Sequence, residues 1–143
     1  MRNEKGFSLI ELLIVVAIIG IIAAIAIPNL VTSRKAANEA SAISGVRTLV
    51  TAQITWASTQ GNGDYTTKEE LATEGLIDAT LGSGAKQGYK FDTVPAGAGF
   101  TVSAAPAEAG VSGDRSFYSN QTGVICVDSA LEPCPLANVL GGD

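Results

Sequence analysis

A chain of 143 residues, 46% hydrophobic and 16% charged, has room for one domain plus an appendage. Its net charge of −5 makes it a poor phosphate binder by itself. It contains no histidine, so the commonest general base and metal ligand is missing. It also shows no nucleophile–base pair, phosphate loop or zinc pattern, which argues against an enzyme and against a bound cofactor.

The chain opens MRNEKGFSLIELLIVVAIIGIIAAIAIPNL. Residues 7–27 are an apolar run of 21 in which only Ser8 and Glu11 are clearly polar. As a helix such a run spans ~31 Å, enough for a bilayer core. It is longer than the apolar part of an ordinary cleaved signal, and AIAIPNL is a weak site for that cut. Arg2 and Lys5 precede the run and favour a cytoplasmic N-terminus, while Arg34 and Lys35 beyond it match their number. From Asn29 onward there are seven Lys/Arg and twelve Asp/Glu, so an apolar anchor carries an acidic head.

Glu11 stands out within the run. A carboxylate in a spanning helix costs roughly 2.5–3.5 kcal/mol at the centre and less near an end. Three readings are open. The side chain snorkels to the interface. It pairs with an α-amino group one turn away, if the chain is cut before Phe7. Or it pairs with the amino terminus of a neighbouring copy and sets the axial register between packed helices.

The stretch EKGFSLIELLIVVAIIGIIAAIAIPNL closely resembles the N-terminus of type IV pilins and type II secretion pseudopilins. Its signature is a short charged leader ending in Gly, an aromatic residue, Glu four residues later, and the apolar run. The resemblance implies cleavage between Gly6 and Phe7 by a prepilin peptidase, N-methylation of Phe7, and a role for Glu11 as partner of an amino terminus during assembly. It also matches Pro28 to the position where the family's helix bends. Proline lacks the N–H and clashes with the preceding turn, which gives such a bend its cause.

Beyond Pro28 the sequence is rich in Ala and free of Pro as far as Gln60. Ala36, Ala40, Ile43, Val46, Val50, Ile54 and Ala57 recur at three and four, predicting one face that packs on a domain. Arg34, Lys35, Asn38, Ser41 and Arg47 are placed on the wet face. Gly45 weakens the helix by about 1 kcal/mol relative to Ala. The breaker cluster GNGD at residues 61–64 stops it. Joined to the anchor, this makes a rod of about 50 residues, roughly 80 Å long if fully helical.

The head begins with a short helix in YTTKEELATEGLID, with Thr67 and Glu70 as a capping-box pair, Leu71 inward and Gly75 just past the end. YKFDTV, FTVSAA, SFYSN and VICVD are four alternating runs separated by turn signals, predicting an antiparallel meander. Tyr89, Phe91 and Thr93 share one face of the first run. With Phe100, Phe117 and Tyr118, the aromatics give the sheet its apolar weight against the helix.

Cys126 and Cys134 bracket VDSALEP near the C-terminus. In a cytoplasm they would be free or would bind metal. Outside the membrane they would form a disulfide contributing roughly 2–3 kcal/mol. The resemblance implies the latter, as in the disulfide-closed C-terminal loop of many pilins. Asp114, Asp128 and Glu132 are too sparse for a calcium cage, so no metal is expected.

The expected fold is α+β and pilin-like: a long N-terminal helix, half transmembrane and half amphipathic, packed on a small antiparallel sheet of about four strands. The expected divisions are a leader at 1–6, a transmembrane and filament-core helix at 7–28, an amphipathic half at 29–60, and a head at 61–143. The resemblance implies a structural subunit that polymerises into a helical filament for attachment, motility or DNA uptake. It sits in the inner membrane as a single-pass precursor and becomes extracellular after assembly. Its implied partners are its own copies, the peptidase/methyltransferase and an inner-membrane assembly platform, with nucleic acid only through the assembled filament. The alternatives are a pseudopilin of a type II secretion system and a monomeric membrane-anchored binding module.

Overall fold

The computed structural model describes residues 6–127. The chain divides into two compact units, Met1–Arg34 and Lys35–Asp143. Helix α1, Leu9–Thr59, is 51 residues long and supplies residues to both.

In the first unit the helix is the whole architecture. Its apolar window has a mean hydropathy of 3.1, and none of that window is buried. Leu9, Ile21 and Leu30 are 80%, 65% and 69% exposed. Ile and Val are mediocre helix formers in water. In hydrocarbon, however, every backbone polar group must be satisfied within the segment, and a helix does this. Among the described residues this is the one helix long and apolar enough to cross a membrane. It continues through Pro28, which cannot donate to the carbonyl of Ala24. Side chains add bonds on either side: Asn29 Nδ2 donates to Ile25 O at 3.2 Å and Thr32 Oγ1 to Pro28 O at 3.1 Å.

In the second unit α1 buries Glu39, Ala42, Gly45, Val46, Leu49, Val50, Ala52 and Gln53. Val46 and Val50 face inward as their spacing predicts. Ala36, Ala40 and Ile54 are exposed instead, and Ile43 and Ala57 are only half-buried. The apolar count misplaces the stripe because its centre passes through polar residues that find partners. Gln53 Oε1 accepts from Thr66 N at 3.0 Å, and its Nε2 donates to Thr66 O. Two bonds to the backbone of one residue, Thr66, satisfy a fully buried amide. Of the expected wet face, Arg34 and Arg47 are exposed, whereas Lys35, Asn38 and Ser41 are half-buried. Gly45 also does more than weaken the helix: an added Cβ would lie 2.6 Å from Phe91 Cε1. The glycine lets the sheet approach the helix.

Two short helices follow. In α2, Lys68–Thr73, Thr67 is the N-cap residue but its side chain makes no capping bond. Glu70 instead accepts from the hydroxyl of Thr66 at 2.6 Å. The end is a Schellman motif: Gly75, at φ +74°, donates to Ala72 O, and Leu76 N donates to Leu71 O. In α3, Ala79–Gly82, Asp78 caps the start by accepting from Leu81 N at 2.6 Å.

The sheet has five antiparallel strands in chain order: β1 Ala85–Lys86, β2 Tyr89–Ala96, β3 Gly99–Pro106, β4 Phe117–Asn120 and β5 Cys126–Val127. The four expected strands are present. The fifth, β1, joins β2 through Gln87 and Gly88, both at positive φ, a tight hairpin turn without the usual Asn-Gly signal. Because β1 pairs only with Tyr89 and Lys90, the far edge of β2 is open, and Pro95 is tolerated there. Alternation places Tyr89, Phe91 and Thr93 inward on β2, and Phe100, Val102 and Ala104 inward on β3. On β4, Phe117 is buried and its neighbour Tyr118 is only half-buried, so the two do not share the core. These side chains close on Val46, Leu49, Leu71 and Leu81. Each large apolar side chain buried contributes about 1.5–3 kcal/mol.

Candidate processing and assembly site

Gly6, Phe7 and Ser8 precede the first turn of α1 and are not helical, and Phe7 is 85% exposed. The Gly6–Phe7 peptide bond therefore lies in irregular, accessible backbone of the kind an endopeptidase cleft can hold. Inside a helix the same bond would have to be unwound first. Glu11 occupies the third position of the helix, where the unsatisfied N–H groups carry partial positive charge. Its Oε2 accepts from Ser8 N at 2.9 Å. Ser-x-x-Glu at a helix start is the spacing of a capping box, and this bond is its return half. The chain thus gives the carboxylate one donor three residues upstream, which offsets part of its cost in an apolar medium. That spacing stands in the sequence, although the residue is first noticed for its charge.

A second polar cluster was not expected from the sequence. Glu39, one turn after Lys35, is buried on α1. Its Oε1 accepts from Asp114 N at 3.0 Å, and its Oε2 accepts from Arg115 Nε and Nη2 at 2.8 and 2.7 Å. Lys35 Nζ lies 3.1 Å from Asp114 Oδ1, and Asn38 Nδ2 donates to Ser112 O at 2.8 Å. From the sheet, the Tyr89 hydroxyl donates to Arg115 O at 2.8 Å and packs on Gly113. The Arg115 guanidinium also stands 5.8 Å over the Phe117 ring. Burial by itself would push the Glu39 carboxyl up. The Asp114 amide and the Arg115 guanidinium outweigh it and hold the carboxyl below its ordinary value. The result is a clasp fixing the β3–β4 loop to the helix.

Cys126 is buried on β5, and its expected partner Cys134 lies outside the described residues, as do Asp128 and Glu132. Asp114 is engaged by Lys35. Among the described residues no three His, Cys, Asp or Glu side chains are grouped as metal ligands.

Residues 1–27 match the family model described as the prokaryotic N-terminal methylation motif. The type IV wide pilus major component PilA4 of Thermus thermophilus is 69% identical over 39 residues, 27% of this chain and 30% of that protein. The ComG operon protein 3 homolog of Bacillus licheniformis is 39% identical over 79 residues, 55% of this chain and 80% of that protein. The type IV major pilin protein PilA of Myxococcus xanthus is 48% identical over 56 residues, 39% of this chain and 26% of that protein. The aligned part is thus less than a third of the Thermus and Myxococcus proteins and most of the Bacillus one. No solved structure matches. With a methylation-type N-terminus and 39% identity to the Bacillus protein over most of its length, the chain belongs to the prepilin-type family of type IV pilins and their homologues.

Proposed function

We propose that the chain is a precursor cut between Gly6 and Phe7, methylated at the new Phe7 amine, and polymerised into a type IV pilus filament. Residues 1–6 are the leader, 7–28 the membrane and filament-core helix, 29–60 the amphipathic half, and 61–143 the head. Pro28 is the point at which the helix bends. Cys126 and Cys134 close the C-terminal loop. The role is structural and not catalytic.

The observation that carries this reading is the apolar part of α1, exposed along its length and starting directly after irregular backbone at Gly6–Phe7. Such a surface belongs in lipid or against other copies of itself. Lipid tails are as apolar as leucine, so moving from membrane to filament core gains little hydrophobic free energy. The register of the packed helices then needs a polar determinant. Glu11 supplies it by accepting the positive amine that cleavage creates, within one copy or between neighbours.

The implied partners are a peptidase that also methylates, and an inner-membrane platform that extracts the subunit. The precursor is a single-pass inner-membrane protein and the product is extracellular. The filament serves attachment, motility or DNA uptake. Any contact with nucleic acid runs through the assembled surface, because the single chain is acidic.

Mass and N-terminal sequencing of protein sheared from cell surfaces tests the proposal. It expects a chain starting at N-methylated Phe7 in long fibres that vanish on deletion of the gene. A chain retaining its leader and found only in the envelope would refute it.

A further inference from the structure

We propose that the tip of the β3–β4 loop, residues 107–111, docks into a groove on the outward face of α1 in a second copy of this chain, placing Glu108 on Arg47 and Val111 against Leu76. This deepens the filament reading above and rests on it.

The groove has a volume of about 340 Å³ and is lined by Ser44, Arg47, Thr48, Thr51, Thr55 and Leu76. It holds no carboxylate. The hydroxyls of Thr48, Thr51 and Thr55 donate to carbonyls of their own helix at 3.0, 2.9 and 2.9 Å. Besides the Ser44 hydroxyl, the unused donors of the groove are those of Arg47, five N–H bonds in a rigid fork that fits a carboxylate. Lys35, Lys68, Lys86 and Arg115 each hold an acid of their own chain. The Arg47 guanidinium makes no ion pair or hydrogen bond among the described residues.

The loop tip is the complement. Residues 107–111 are all exposed, Val111 at 59%. The Glu108 side chain has no partner among the described residues, and its backbone carbonyl accepts from Val111 N at 3.2 Å and from Ser112 N at 2.9 Å. The turn thus presents an acid and an apolar side chain together. The Glu39 clasp, with Lys35, Asn38 and Tyr89, fixes the base of this loop. A loop ordered in advance loses little entropy on docking. The side chains of Arg34, Lys90 and Asp64 also lack partners among the described residues, but Arg34 belongs to the apolar first unit, Lys90 lies on an open strand face and Asp64 in a glycine-rich turn. A knob on one surface and a groove on another make a heterologous contact. Such contacts propagate as open helices instead of closing as two-fold dimers.

Charge reversal in cells making the full chain tests the contact. Arg47→Glu and Glu108→Arg are each expected to lower sheared-filament yield about tenfold while the membrane pool stays constant, and the double reversal to restore most of it. Both positions are exposed, so an unchanged membrane pool reports an intact fold. Single variants assembling at wild-type yield, or a double variant no better than either single, would overturn the docking and leave the filament reading standing. Wild-type cells without filaments would overturn both.

Discussion

Residues 9–34 and residues 35–59 are both parts of α1, yet they use apolar side chains in opposite ways. The first stretch exposes nearly every Leu, Ile and Val. Among the described residues it is left uncovered, the kind of surface that suits lipid or other copies. The second buries a narrow stripe, three of its eight residues Ala or Gly, and that stripe is completed by Glu39 and Gln53 with partners in the head. Hydrophobic content tells which part needs a foreign environment. Specific polar partners tell which part has its own core.

The contrast is sharpest in core truncations. Phe117→Ala removes a fully buried ring and is expected to cost about 3–5 kcal/mol. Leu13→Ala, in the exposed stretch, is expected to change head stability by less than about 0.5 kcal/mol. Denaturant unfolding of the full chain in detergent, followed by the fluorescence of Trp56, compares them. Equal effects would break the distinction between the two stretches.

Glu39→Gln comes next, at about 1–3 kcal/mol near neutral pH, moderated because Arg115 is 47% exposed. Its pH dependence carries a sign. The folded carboxyl lies below its ordinary value, so its contribution is present above that value and is lost as pH falls through the folded one. The wild type should therefore lose stability more steeply than the variant as pH falls below about 4. Parallel acid limbs would remove the clasp from the account. Gly45→Ala is expected to destabilise by about 1–3 kcal/mol, because the new methyl meets the Phe91 ring, although alanine is the better helix former. A stabilised variant would show that the ring yields. Asp78→Ala, which removes the cap of α3, is the smallest loss expected from a change within the head, about 1 kcal/mol in the same unfolding measurement.

The N-terminal part was legible because its constraints are local. A bilayer-length run, a carboxylate near its start and a proline near its end are features of consecutive residues. The four longer sheet runs were legible from alternation, and Gly75 from its place after a short helix. What escaped depends on distant partners. Glu39 reads as a surface acid until Arg115, 76 residues later, comes beside it. The inward stripe was misplaced for the same reason, since apolar counting discards Glu39, Gly45 and Gln53. Strand β1 was missed because Gln-Gly is an uncommon pair for its turn. Glu70 was assigned to Thr67 by spacing, whereas the hydroxyl of Thr66 reaches it.

The claim on which the filament account stands is that Glu11 and the amine released at Phe7 match packed helices to one another. Replacing Glu11 with alanine and comparing trimmed subunit in the membrane with subunit in sheared filaments tests it most directly. The account predicts normal trimming with the chain stranded in the membrane and filament yield reduced at least about tenfold. Normal trimming with full filament yield would contradict it.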